Sequence, residues 1–283
     1  MIADRNANVV CVADTLEPKF PDVYRELKLI LTEHGIPLRT IPGTLDIWCR
    51  DYMPVQVSEH RFVQFRYTPD YLTAKKYRHL MADGEIGPKL PWLKNSIRSE
   101  IVLDGGNVIR WRDKVILTEK IFAENPNSAR EQLMCELEGL FGVDRLILIP
   151  PERGDVTGHA DGVVRFVNGD SVVVNDYRRI DPEYRHRLLP ILEAAGLEVH
   201  EVPYQPGSGS SQGMPSAVGN YVNFLQVGTV LIMPFYGLPE DGEAKEKLSR
   251  YFSNCLVTAL DCRELAKSGG VLNCVSWTFA TTG

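Results

Sequence analysis

Val115-Ile116-Leu117, a helical pattern from Ala129 to Leu140, Gly142, and then Arg145 to Ile149 form one unit of sequence. The first run is short and β-branched, which suits a buried strand. The middle stretch places apolar residues at helical spacing. Glycine after the last turn supplies the left-handed residue that commonly ends a helix. The final run is again strand-like. The same order recurs on both sides. Val9-Val10-Cys11-Val12 precedes Val23 to Glu33, Gly35 and Pro37 to Ile41. Val172-Val173-Val174 precedes Tyr184 to Ala195, Gly196 and Leu197 to Val202. Val230-Leu231-Ile232-Met233 precedes Glu243 to Phe252 and Leu256 to Leu260, with Asn254 in the glycine's place. Phe62-Val63-Gln64-Phe65 opens an irregular copy. Its middle, Thr68 to Ser99, carries Lys75, Lys76, Arg78, Pro88 and Pro91 ahead of a strand from Glu100 to Leu103.

The five leading runs start roughly 53, 53, 57 and 58 residues apart, a period that holds one supersecondary unit. Further β-like stretches lie at the junctions, within Ile47 to Val57, Asn107 to Arg112, Gly162 to Val167, Tyr221 to Val227 and Leu272 to Thr278. Each unit therefore reads strand–strand–helix–strand. Strands alternating with helices predict an α/β class, and five copies predict a closed ring: a five-bladed α/β propeller around a central channel. The expected organisation is one domain over residues 1–283. An open α/β sheet with accidental spacing is the competing arrangement.

The unusual polar residues fall at equivalent junction points: Trp48-Cys49-Arg50-Asp51, Leu103-Asp104-Gly105-Gly106-Asn107, Gly158-His159-Ala160-Asp161, Asn220-Tyr221-Val222-Asn223-Phe224 and Gly269-Gly270-Val271-Leu272-Asn273-Cys274. In a ring, Asp51, Asp104, His159, Asp161, Asn223 and Cys274 face one axis. His159 and Asp161, two apart, would share one face of a strand, where a carboxylate raises and orients an imidazole. Plainer roles compete at several positions. Asp104 before two glycines is also a turn signal, Asp51 beside Arg50 can be an ion pair, and most lone cysteines are buried and inert. That inert reading is taken for Cys11, Cys135, Cys255 and Cys262. The stretch Gly207-Ser208-Gly209-Ser210-Ser211-Gln212-Gly213 lacks the lysine of a phosphate loop and reads as a mobile loop near the channel mouth.

The chain has 283 residues, with 31 Lys+Arg against 37 Asp+Glu, and its net charge of −6 argues against nucleic acid as a partner. No apolar run approaches the ~20 residues that span a bilayer, so no membrane partner is expected. The opening residues show no signal-peptide pattern. Six scattered cysteines suggest a reduced, cytoplasmic protein without a disulfide framework. No spaced His/Cys set points to a metal.

Several carboxylates around one thiol oppose thiolate formation. A cationic, planar guanidinium resolves the conflict, because it pairs with carboxylates and its charge favours the thiolate. An imidazole can then protonate the leaving nitrogen and later activate water. With these residues in that order, the sequence resembles the agmatine deiminase and bacterial peptidylarginine deiminase-like family of the guanidine-modifying (pentein) superfamily. The matching stretches are Trp48 to Pro54, Asp104 to Asn107, Gly158 to Asp161 through Arg165-Phe166, Asn220 to Phe224, and Gly269-Gly270 through Cys274. The resemblance implies a pentein propeller, Cys274 as nucleophile, His159 as general acid and base, and no cofactor. It also implies guanidinium-binding carboxylates at Asp51, Asp104 and Asp161, with Asn107, Asn223, Trp48 and Arg165 at the substrate. The expected reaction is deimination of a small cationic guanidino compound, agmatine first, with a possible homo-oligomer. The family's agmatine enzymes usually carry glutamate where Asp104 stands and histidine where Asn273 stands. Peptidylarginine or free arginine as substrate, amidino transfer to an amine, and a non-catalytic guanidino-binding protein are the alternatives.

Overall fold

The five leading runs are the middle strands of five separate three-stranded sheets in the computed structural model, which describes residues 1–72, 78, 86–93, 95–207, 209–211 and 214–281. These middle strands are Val9–Ala13, Arg61–Arg66, Lys114–Thr118, Ser171–Asn175 and Val230–Phe235. Each pairs in parallel with the strand that ends its unit: Leu38–Ile41, Ile97–Val102, Arg145–Ile149, Glu198–Val202 or Leu256–Asp261. Each pairs antiparallel with a junction strand: Ser276–Phe279, Val55–Ser58, Ile109–Trp111, Val164–Phe166 or Leu225–Val227. The first sheet takes its junction strand from the far end of the chain, with Val9 opposite Phe279 and Val12 opposite Ser276. The two ends of the sequence thereby close the ring, as the five-bladed propeller requires.

Middle strands such as Val9–Ala13 and Ser171–Asn175 are buried at every residue. One face meets a helix and the other meets the interior of the ring, which is why they read as continuous apolar runs. The helices present one apolar stripe each. Val23, Leu27 and Leu31 are the buried residues of Pro21–Glu33, and Leu133, Leu137 and Phe141 those of Arg130–Phe141. Asp181 caps the helix Pro182–Ala194 by accepting the Tyr184 N–H at 2.9 Å. Gly142 ends Arg130–Phe141 in the left-handed region at φ 63°, donating to the Glu138 carbonyl. Asn254 does not repeat this conformation after Glu240–Tyr251, where Phe252 is the cap residue.

The junctions depart from the expected continuous strands. Three of them open with a short helical turn, Cys49–Tyr52, Gly105–Asn107 or Ala160–Gly162, and the strand starts only afterwards. These turns converge so closely that a side chain on Gly105 would begin 2.0 Å from the Arg50 carbonyl oxygen. The second unit contains, among the described residues, the short 3-10 helix Asp70–Leu72 and the short helix Ile86–Lys89, and a register irregularity between Gln64 and Arg66. Lys75 and Lys76 lie outside the described residues, as do Ser208, Gln212 and Gly213. The glycine–serine stretch is not simply a loop: Ser210–Ser211 pairs antiparallel with Met214–Pro215. Among the described residues no helix is long and apolar enough to cross a membrane.

Candidate active site

A cavity of about 270 Å³ opens where the junction turns converge, and Trp48, Asp51, His159, Asp161, Asn223 and Cys274 line it. These six come from four different junctions. Cys274 comes four residues after Gly270, which itself follows the left-handed Gly269. Gly270 is required by packing, since a methyl there would lie 2.7 Å from Cζ3 of Trp48 and 3.1 Å from the Cys274 sulfur. The thiol is 3.6 Å from Oδ2 of Asp161 and 3.4 Å from Oδ1 of Asn223. Burial, then the Asp161 and Asp51 carboxylates, push its pKa well above the ordinary thiol range. Burial and the two carboxylates thus disfavour the thiolate in the free site.

His159 reaches back between two other junctions. Its Nε2 is 2.9 Å from Oδ2 of Asp104, and its Nδ1 is 3.6 Å from Oδ1 of Asp51. Burial alone would lower its pKa, but Asp51, then Asp104 and Asp161, reverse the direction and favour the imidazolium. Burial raises the Asp51 carboxyl, opposed by His159 and reinforced by Asp104 and Asp161. Asp51 is fixed by the Gly106 N–H, which donates at 2.9 Å. A methyl on Gly106 would sit 2.6 Å from both that oxygen and Nδ1 of His159. Glycine here lets the backbone approach the carboxylate and the imidazole together.

Several expected roles change. His159 and Asp161 do not share a strand face, because the turn Ala160–Gly162 intervenes. Asp161 instead accepts from Nδ2 of Asn273 at 2.6 Å, on the cysteine side. Asp104 is 1% exposed and does not line the cavity; besides His159, Tyr71 donates to the same Oδ2 at 3.2 Å. It sits behind the imidazole. Asn107 is also away from the cavity, its Oδ1 accepting the Thr118 N–H at 2.9 Å. Arg165, 2% exposed, is likewise outside the cavity: it donates to the Phe224 carbonyl at 2.6 Å and to Asp4 at 2.7 Å. Asp4 also meets Arg110 at 3.2 Å. A buried guanidinium group of Arg50, Arg110 and Arg165 thus occupies the ring interior apart from the cavity. Arg50 does not pair with Asp51; it donates to the Asn273 carbonyl at 3.3 Å.

Among the other cysteines, Cys49 is buried with its sulfur on the Val275 carbonyl at 3.2 Å. Cys11 and Cys262 are buried as expected, whereas Cys135 is exposed and Cys255 half-buried. Sequence reasoning named no role for Tyr71, whose ring meets His159 edge-on at a centroid distance of 6.1 Å. It belongs to the irregular unit, where the repeat gives no equivalent position. Asn273 was visible only as the neighbour of Cys274. Among the described residues, no three His, Cys, Asp or Glu side chains converge as a metal site would need.

A model of the Porphyromonas-type peptidyl-arginine deiminase family matches residues 1–279. The agmatine deiminase of Pseudomonas putida is 30% identical over 207 residues, covering 62% of this chain and 56% of that protein. The chain thus spans little more than half of that relative's length. The agmatine deiminase of Pseudomonas syringae pv. tomato is 27% identical over 271 residues, covering 82% of this chain and 73% of the relative. The solved agmatine deiminase of C. jejuni superposes with a TM-score of 0.82 at 18% identity, covering 100% of this chain and 96% of that one, which establishes the shared fold. With the match running through all five blades, the chain belongs to the Porphyromonas-type peptidyl-arginine deiminase family.

Proposed function

We propose that the protein hydrolyses a guanidino compound to a ureido compound and ammonia, with agmatine, which gives N-carbamoylputrescine, as the first substrate. The observation that carries this reading is the single cavity in which the Cys274 thiol, the His159 imidazole and the Asp51 and Asp161 carboxylates, drawn from three junctions, meet. Relatives named agmatine deiminases support the substrate choice.

Asp51 and Asp161 grip the guanidinium by charge-assisted hydrogen bonds. The cation offsets the two carboxylates that hold the Cys274 thiol protonated, so the thiol proton passes to solvent as the cation binds, and binding and thiolate formation are coupled. The thiolate attacks the central carbon, forming a C–S bond and a tetrahedral intermediate. His159, an imidazolium before substrate arrives, gives its proton to one nitrogen, and the C–N bond breaks to release ammonia. An amidino-cysteine remains. His159, now neutral, takes a proton from water. The resulting hydroxide adds to the same carbon, the C–S bond breaks, and the hydroxyl proton passes to the departing sulfur, leaving the ureido product and the cysteine thiol. Asp104 keeps the imidazole aligned through both proton transfers, a positioning role.

Ammonia release and ureido product from agmatine, with no amine acceptor present, test the reading. Cys274→Ala should abolish both while the melting temperature stays within a few degrees. Turnover by Cys274→Ala, or product formed only when an amine acceptor is supplied, would refute it.

A further inference from the structure

Four carboxylates line the cavity: Asp51, Glu152, Asp155 and Asp161. The first and last belong to the thiol's surroundings. Asp155 is occupied locally, accepting from the Thr157 N–H and hydroxyl at 2.8 Å each. Glu152 remains. It follows the strand Arg145–Ile149, on the loop that leads to His159. The Tyr204 hydroxyl donates to its Oε1 at 2.7 Å and the Tyr177 hydroxyl to its Oε2 at 2.9 Å. The tyrosines fix the carboxylate without neutralising it. Tyr177 is itself anchored, meeting Nδ2 of Asn175 at 3.2 Å. Among the described residues no cation pairs with Glu152. Arg153, its chain neighbour, is engaged by Glu183 at 2.7 Å. Burial pushes the Glu152 carboxyl up to about 7, although both tyrosine bonds act the other way.

A half-buried carboxylate held by two tyrosines at a cavity wall, with no ion-pair partner among the described residues, is the arrangement a cationic ligand group completes. We infer that Glu152 is the specificity residue for the distal end of the substrate, binding a primary ammonium at the opposite end of the ligand from the guanidinium. The inference rests on the guanidino-substrate reading above and sharpens it. A substrate ending in an ammonium is favoured over one ending in a methyl or a carboxylate.

Agmatine and n-butylguanidine share the guanidinium and the four-carbon chain and differ in the terminal ammonium, so they isolate this contact. Their Kd values on Cys274→Ala, by titration calorimetry at pH 8, read it without turnover. We expect agmatine to bind roughly 10- to 100-fold more tightly, the range for a charge-assisted contact. Adding Glu152→Gln, which can still accept from both tyrosines, should remove most of that difference and leave butylguanidine binding within about threefold. Equal affinities on Cys274→Ala, or equal losses for both ligands on adding Glu152→Gln, would overturn the inference. Ammonia release by the unaltered enzyme is read separately, so a failed deiminase reading is told apart from a failed assignment of Glu152.

Discussion

Replacing Asp161 by asparagine should make Cys274 more reactive toward an alkylating agent while it stops turnover. The Asp161 oxygen is 3.6 Å from the sulfur. At an effective dielectric constant near 20, two unit charges at that distance repel by about 4–5 kcal/mol. Water drawn into the altered site will screen part of this. One third of the repulsion still corresponds to about a tenfold gain in thiolate population. Asparagine keeps the shape and an oxygen that can accept from Asn273, so the site should not collapse. Iodoacetamide labelling of free enzyme at pH 7.5, followed by mass spectrometry of the Cys274 peptide, is expected to run at least tenfold faster in Asp161→Asn. Ammonia release from agmatine should fall by at least a hundredfold, because one jaw of the proposed guanidinium clamp is gone. Loss of turnover accompanied by unchanged or slower alkylation would refute the reasoning. It would mean that the carboxylate does not hold the thiol protonated.

Asp104→Asn should lower kcat on the order of 10²- to 10⁴-fold with KM within about threefold, because Asp104 touches the imidazole and not the cavity; a KM effect without a kcat effect would return Asp104 to the substrate. Asp4→Asn tests the buried arginines: burial alone would raise the Asp4 carboxyl, but Arg165, then Arg110 and Arg50, hold it at about 2 against the ordinary 3.8. A folded-state pKa below the unfolded one contributes stability above pH 3.8 that is lost as pH falls through 2, and the shift corresponds to about 2–2.5 kcal/mol. Urea denaturation should show that difference between the original chain and Asp4→Asn at pH 7 and a shrinking one below pH 4; a difference that does not change with pH refutes it. Arg165→Leu should destabilise by about 3–5 kcal/mol, leaving Asp4 poorly paired, without raising KM for agmatine; a KM rise would place Arg165 at the substrate after all.

The repeat was legible because each middle strand is buried on both faces and each helix buries one stripe, so both patterns survive in the sequence as runs and spacings. The junction side chains were legible as a group because a ring brings equivalent positions to one axis. Their pairings were not. The sequence suggested that His159 meets Asp161, two residues away, yet it meets Asp104 and Asp51 from other blades. Local spacing carries no information about such contacts once a 3-10 turn replaces the strand. Arg165 shows the reverse difficulty. It stands in a stretch that carries the family resemblance, and that is equally compatible with touching a ligand or holding the ring together. Its contact with Asp4, 161 residues away in sequence, favours the second, and no local pattern foretells that contact.

The buried arginines also bear on why the cavity can hold so many acids. Asp4, Asp51, Asp104 and Asp161 bring four carboxylates into the ring interior; Arg50, Arg110, Arg165 and a charged His159 bring four cations. Counted formally, and leaving aside Glu152 at the cavity wall, this group is neutral before substrate arrives. A guanidinium adds one positive charge, and loss of the Cys274 proton cancels it. Neutrality is therefore kept in the complex only if the thiol ionises as the cation binds. An anionic or neutral substrate would leave that ionisation uncompensated among buried groups, where an unpaired charge is most costly. Selectivity for a cation and activation of the sulfur are on this argument one electrostatic property. It depends on the arginines behind the cavity as much as on the aspartates that face it.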